Sequence, residues 1–416
     1  MIPAIVLAVS PSRLDRPRAA EAFALDPAVV HLNHGSFGAV PIAVRAAQDA
    51  IRARLEAATM RWFVLDYERE LDAARAAAAG FVGADADGFV FVPNATHGIA
   101  TALAHLARAG RLGPGDELVT TDHAYRACRN ALDRTAAAAG ARVEVVHLPL
   151  PVRDAADAAG HVARIAERVG PRTRAVLVDH VTSPTALVLD VAALARALPA
   201  GVALIVDGAH APGQLALDVA ATGATFYTGN FHKWTCAPKG TAFLWIAPAA
   251  RDDVQPLVTS HGATLPTTRR SRFRLEHDWT GTTDPSGYLA VPAAIAHVAA
   301  LGGNWDAVRA GNHALAIALR DDLAAALDAD PIVAPAAAGA ATGSMQALAL
   351  ALPDGAHHLD VERALLERGV ELPIVEHPAT PWPLARLSAH LYNQRADAAR
   401  AADALRGLGV RGRRIL

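Results

Sequence analysis

Short apolar runs alternate with helical stretches through the middle of the chain. Gly88–Val92 reads as a strand, residues 93–98 as a turn, and residues 98–109 as a helix. Further strands are predicted at 117–120, 142–147, 174–179, 202–206, 225–228 and 241–246, with helices at 124–138, 157–169 and 191–198 between several of them. Alternation of this kind predicts an α/β fold with a mostly parallel central sheet and helices on both faces. After about residue 290 the pattern changes. Long Ala/Leu-rich helices at 291–301, 304–328, 358–369 and 395–407 flank short strands near 346–352 and 371–375, which predicts a smaller α+β domain. The Ala/Pro/Gly-rich run from Pro331 to Thr342 reads as an exposed loop.

Parallel sheets bind ligands at the carboxyl ends of their strands, so polar residues just beyond a strand are the ones to inspect. Asp207 ends the apolar run from Ala203, and His210 follows three residues later. A second run, Phe226–Gly229, leads into Asn230-Phe231-His232-Lys233-Trp234. Composition sharpens this. The chain has 39 basic residues, and only Lys233 and Lys239 are lysines. Chemistry that needs a side-chain amine must use one of these two.

An amine, a carboxylate and an anion cradle together are what pyridoxal phosphate requires. The amine condenses with the aldehyde as a Schiff base. The carboxylate keeps the pyridine nitrogen protonated. The phosphate takes backbone N–H groups at a helix start, and Asn94-Ala95-Thr96-His97-Gly98 has that form. A ring should cover the cofactor face, and both His123 and Tyr125 in Asp122-His123-Ala124-Tyr125 are candidates.

The bulk numbers exclude several classes. A length of 416 residues with 52% hydrophobic and 19% charged residues suits two or three packed domains. The formal net charge of -2, without a block of like charges, gives no indication of nucleic-acid binding. The run MIPAIVLAVS is about half the length of a membrane span and reads as an N-terminal arm, so no membrane association is expected. Cys128 and Cys236 lie far apart, which suits a reducing cytoplasm and argues against a disulfide or a cysteine-built zinc site. His357-His358 and Glu276-His277-Asp278 lack a supported ligand set, so no metal is expected.

The stretches LNHGSFG (32–38), NATHG (94–98), TDHAYRA (121–127), DHVTSPTALVLDV (179–191), VDGAHAPGQLALDV (206–219), GNFHKWTCAPKG (229–240) and RLSAHLYN (386–393) resemble the class V aminotransferase family, and within it the isopenicillin N epimerase-like proteins. The resemblance implies PLP fold type I: residues 1–45 as an N-terminal segment joining the small domain, 46–285 as the large cofactor-binding domain, and 286–416 as the small domain. It implies that Lys233 carries pyridoxal 5'-phosphate, Asp207 pairs with the ring nitrogen, and His210 lies near the ring hydroxyl. Ala95, Thr96, His97, Asn230 and His232 are expected around the phosphate, with Thr282 reaching the phosphate of a neighbouring subunit in a homodimer with shared active sites. Arg386 is expected to bind the substrate α-carboxylate, since its planar fork matches two oxygens. Asn33, His34 and Ser36 in the first loop are expected beside the substrate.

The implied activity is epimerisation or racemisation of an amino-acid-type substrate. Transamination, carbon–sulfur lysis, or a cofactor-binding role without turnover share the same core residues and stay open. Inversion needs a proton donor opposite Lys233, for which His34, Tyr67 and Tyr125 are the candidates. The chain departs from the family after the aromatic pair Trp62-Phe63, where Leu65-Asp66-Tyr67-Glu68 carries no basic residue.

Overall fold

The computed structural model describes residues 16–108, 110–378 and 380–416. The MIPAIVLAVS arm lies outside them. Strands in chain order are β1 (Val30–His31), β2 (Phe89–Val92), β3 (Glu117–Thr121), β4 (Arg142–Val146), β5 (Thr173–Asp179), β6 (Ala203–Asp207), β7 (Phe226–Asn230) and β8 (Ala242–Ile246). They are followed by β9 (Met345–Ala351), β10 (Val370–Glu371), β11 (Ile374–Val375), β12 (Leu384–Ser388) and β13 (Arg411–Gly412).

Seven of these form one sheet in the order β2-β8-β7-β6-β5-β3-β4. The pairs β7–β6, β6–β5, β5–β3 and β3–β4 are parallel, and β8 runs antiparallel to both of its neighbours. Strands β5 to β8 are buried almost throughout, as a sheet covered on both faces requires. One face packs Val176, Val178, Val206 and Tyr227 against helices including Tyr67–Val82 and Val291–Gly302. The other packs Leu118, Leu177, Ile205 and Phe226 beneath the helices Ala95–Arg108 and Arg126–Ala139.

A second, antiparallel sheet has the order β11-β12-β9-β13. Its core of Leu348, Leu350, Ala385 and Leu387 is covered by the helices Trp305–Leu327 and Asp397–Gly407. The chain start is fastened here, because β1 pairs in parallel with β10. The strand predicted at 371–375 is split in two, since Leu372 and Pro373 carry the chain from one sheet to the other. The exposed loop predicted at 331–342 is corrected: Pro335–Ala341 is a helix with Ala337, Ala338 and Ala341 buried. Proline at the first helical position and alanine, the best helix former, explain it once Val152 and Leu187 supply a face to pack on. Among the described residues no single helix is long and apolar enough to cross a membrane.

Gly98 lets the helix Ala95–Arg108 lie directly on β7. A Cβ at this position would overlap Thr228 Oγ1, a hydroxyl that donates to Phe243 O at 2.6 Å. Overpacking of about 1–3 kcal/mol outweighs the ~1 kcal/mol that alanine gains in helix propensity. Gly98→Ala is therefore expected to lower stability by about 1–2 kcal/mol, read as an earlier urea midpoint at unchanged slope. A midpoint equal to or above wild type would refute this packing argument.

Candidate active site

The sheet order fixes which side chains meet. Strands β5 and β6 end side by side, with Asp179 paired in register to Asp207. The turn after β7 carries His232 and Lys233, the turn after β3 carries Tyr125, and the helix Ala95–Arg108 begins beyond β2. These elements enclose a cavity of about 190 Å³ whose lining includes Ala95, Thr96, Tyr125, Asp179, Asp207, His210, Asn230, His232 and Lys233. The first loop closes one wall with Ser36 and Phe37. Gly38 makes that closure possible. Its φ is +59°, and a Cβ there would run into the backbone oxygen of His232. The same glycine's carbonyl accepts from Lys239 Nζ at 2.5 Å. Of the two lysines, Lys233 faces the cavity and Lys239 holds the loop.

Burial dominates the electrostatics. The Lys233 amine is pushed down to about 8, first by desolvation and then by Arg386, against the pull of Asp207 and Asp179. His210 Nε2 lies 3.1 Å from Lys233 Nζ, and burial holds this imidazole well below its usual range, so it is neutral. Asp207 is buried, with one oxygen accepting the Ala209 N–H at 2.9 Å and the other the Cys128 thiol at 3.0 Å. Asp179 is driven well above the ordinary carboxylate range by burial and then by Asp207. Two carboxylates side by side in a dry site do not both ionise, so Asp179 keeps its proton.

At the opposite end the helix start presents N–H groups that have no partner within the helix. Asn230 Oδ1 accepts the Ala95 N–H at 2.9 Å and ties this start to β7. His232 Nδ1 donates to Thr241 O at 2.8 Å, which leaves Nε2 for the cavity. Burial lowers this imidazole to about 4, a shift that a bound anion would oppose.

Arg386 comes from β12 of the smaller sheet and is buried behind Ser36 and Ser183. Nη2 donates to Asn33 Oδ1 at 2.9 Å and to Ser36 Oγ at 2.6 Å. Nη1 donates to Ser183 O at 2.9 Å and Oγ at 3.2 Å. Its Nε is buried without a hydrogen-bond partner. Both serines line the cavity, so their hydroxyls are what a carboxylate entering from the cavity displaces to reach the fork.

Several expected residues are placed elsewhere. His123 does not face the cavity. It is fully buried, bonded to Thr185 Oγ1 at 2.7 Å and Leu148 O at 3.0 Å, because its ring points back under the sheet edge toward His377. Of the two ring candidates only Tyr125 lines the cavity, and it is 44% exposed. His97 turns with its helix to a neighbouring cavity that it shares with Tyr67. Tyr67 is buried there, its hydroxyl donating to Asp278 O at 2.7 Å. His34 sits behind the lysine turn, between Tyr392 OH at 2.8 Å and Lys233 O at 3.1 Å. Thr282 is exposed and does not line this chain's cavity. His357 and His358 meet Glu376 at the surface, a grouping that sequence proximity did not reveal. Three participants escaped the sequence reading: Asp179, Ser183 and Cys128. Asp179 was findable, since it ends a strand just as Asp207 does. Cys128 was not, because only the docking of its helix brings the thiol to Asp207.

Comparison with known proteins identifies the family. The family model described as aminotransferase class-V matches residues 56–400. The chain is 34% identical to the isopenicillin N epimerase of Amycolatopsis lactamdurans, over 94% of this chain and 98% of that one. It is 27% identical to a probable chloroplastic L-cysteine desulfhydrase of Arabidopsis thaliana, over 92% and 83% of the two chains. A solved structure of a C-DES variant, with glycine covalently linked to its PLP cofactor, superimposes with a TM-score of 0.77 at 20% identity, covering 95% of this chain and 100% of that one. The fold is that of fold type I. The cavity fits a pyridoxal phosphate: a depressed amine, a buried carboxylate and a helix start stand around one space, and the unpartnered Arg386 Nε lies behind it.

The Asp179 shift has a consequence for stability. A carboxyl whose pKa is raised on folding holds a proton that the unfolded chain has released, so folding weakens as pH climbs from the ordinary carboxylate range toward the raised value. Asp179→Asn removes that dependence. Freed of cofactor, the variant is expected to melt above wild type, with the gap widening by roughly 2 °C between about pH 5 and about pH 8. A constant gap would show that Asp179 ionises freely.

Proposed function

The chain belongs to the class V aminotransferase family, and on that footing we propose that it is a pyridoxal-phosphate-dependent epimerase acting at the α-carbon of an amino acid. The cofactor supplies an aldehyde that captures amines and a cationic ring that acidifies the α-proton. Lys233 Nζ, lowered by burial, would hold the cofactor's aldehyde and, as a free amine, would take the α-proton on its own side. The Asp207 carboxylate would face the ring nitrogen and keep it protonated. His210 offers its imidazole beside the amine. Arg386 orients the substrate carboxylate, and Ser36 and Ser183 give way to it.

The observation that carries the epimerase reading is the position of Tyr125. Lys233 follows β7 and Tyr125 follows β3, on opposite flanks of β6 and β5, which end in Asp207 and Asp179. Two groups able to carry a proton thus line one cavity from separate strand ends, and inversion needs a second such group besides the lysine. Tyr67 and His34 are committed elsewhere. Sulfur transfer through a protein thiol has less support, since Cys128 and Cys236 are both buried and burial pushes both thiols up. The test is α-proton exchange in heavy water across a panel of D- and L-amino acids. Tyr125→Phe is expected to slow inversion by about 100-fold while deuterium still enters with retention. Lys233→Ala should lose both, and borohydride trapping of wild type should label Lys233. Unchanged inversion in Tyr125→Phe, or release of sulfide and keto acid in place of inversion, would overturn the reading.

We further propose that two copies share their sites. Phe37, which lines the cavity, is 73% exposed, and Met60, Val64 and Leu65 are 82%, 67% and 62% exposed. Apolar exposure of this order favours a protein partner, and the exposed Thr282 is free to serve a second copy. Leu65→Glu is expected to shift the sedimentation equilibrium from dimer toward monomer and to lower cofactor affinity by about tenfold. A wild-type chain that sediments as a monomer at working concentration would exclude it.

A further inference from the structure

We infer that Trp234 is a positioning residue: its indole N–H fixes the tautomer of His210, so that the imidazole presents an N–H to Lys233 and holds that amine in its unprotonated form. The inference rests on the reading of Lys233 as the reacting amine. Trp234 Nε1 lies 3.4 Å from His210 Nδ1. An indole nitrogen only donates, so Nδ1 must carry the lone pair. A neutral imidazole then bears its hydrogen on Nε2, the atom 3.1 Å from Lys233 Nζ. An ammonium group has donors and no acceptor. Facing an N–H, it would set donor against donor, whereas the neutral amine accepts.

Each partner is held in place. Trp234 is fully buried, and its ring lies against that of His34 at 5.4 Å. Gln214 Nε2 donates to His210 O at 2.7 Å. A charged His210 would escape the argument, but desolvation, then Lys233 and Arg386, all oppose that charge. The other groups acting on Lys233 are Arg386 from β12, Asp207 and Asp179 from β6 and β5, and the Cys128 thiol from the helix Arg126–Ala139, with His232 beside it in the turn. Arg386 favours the free amine and Asp207 favours ammonium, while Asp179, held protonated by burial, adds little charge to that balance. The imidazole adds direction to that balance, and the indole decides which of its faces the amine meets.

The test compares Trp234→Phe, and the isosteric replacement of the indole at 234 by a benzothiophene that lacks only the N–H, in wild-type and His210→Gln backgrounds. The full-length protein, freed of cofactor, is labelled with an amine-directed reagent across pH. The Lys233 and Lys239 peptides are quantified by mass spectrometry. Wild type should label Lys233 half-maximally at about 8. Losing the indole N–H lets His210 turn its lone pair to the amine, which stabilises ammonium. The Lys233 midpoint should then rise by about one unit, slowing its labelling near neutrality about tenfold, with Lys239 unchanged. In the His210→Gln background the same replacements should cause no further shift. An unmoved midpoint, or an equal shift in both backgrounds, overturns the inference. The reagent needs no cofactor, so this outcome is separate from borohydride labelling at Lys239, which would overturn the functional reading instead.

Discussion

An amine must be kept neutral in a place too dry for an ammonium ion, yet beside the carboxylate that such a site needs. That requirement organises the centre of this protein. Desolvation lowers the Lys233 amine, and Arg386 pushes in the same direction. Asp207 pulls the other way, and a second charge at Asp179 would pull harder. Burial beside Asp207 keeps Asp179 protonated. The sheet therefore offers one carboxylate and one carboxylic acid on adjacent strand ends, a division of roles that identical side chains obtain only from their surroundings.

The guanidinium of Arg386 is the second fixed point, and three parts of the chain converge on it. β12 delivers the side chain, the first loop supplies Asn33 and Ser36, and the turn after β5 supplies Ser183. The first loop is itself held twice. β1 pairs with β10 on one side, and Lys239 grips Gly38 on the other. Any movement of the smaller sheet relative to the large one must act on this loop, and so on Phe37 and Ser36 in the cavity wall.

Behind the lysine turn lies a buried polar cluster that does no chemistry in this scheme. His34 stacks on His390 with centroids 3.9 Å apart. It bonds to the Lys233 carbonyl and Tyr392, with Cys236 beside both imidazoles. Burial keeps both imidazoles and the thiol neutral. A satisfied network of neutral groups is rigid without demanding a counter-ion, which suits a backbone that must hold one amine in register.

What the sequence determined by itself was local. Strand alternation placed β2 to β8 within a residue or two, and the polar residues just past those strands picked out Asp207, His210, His232, Lys233 and the turn at 94–98. Scarcity of lysine narrowed the amine to two positions, and motif spacing identified the family. These features depend on residues near one another in the chain, where periodicity and spacing carry the information. The tertiary structure decided everything that depends on the direction in which a side chain leaves its backbone. His123 and Tyr125 stand two residues apart in one turn, and only Tyr125 turns to the cavity. His34 belongs to the loop that forms the cavity wall but points behind it. Cys128 is remote from Asp207 in sequence, and only helix docking brings the two together. Such facts follow from how separate elements pack, and packing is a property of distances that no single segment contains.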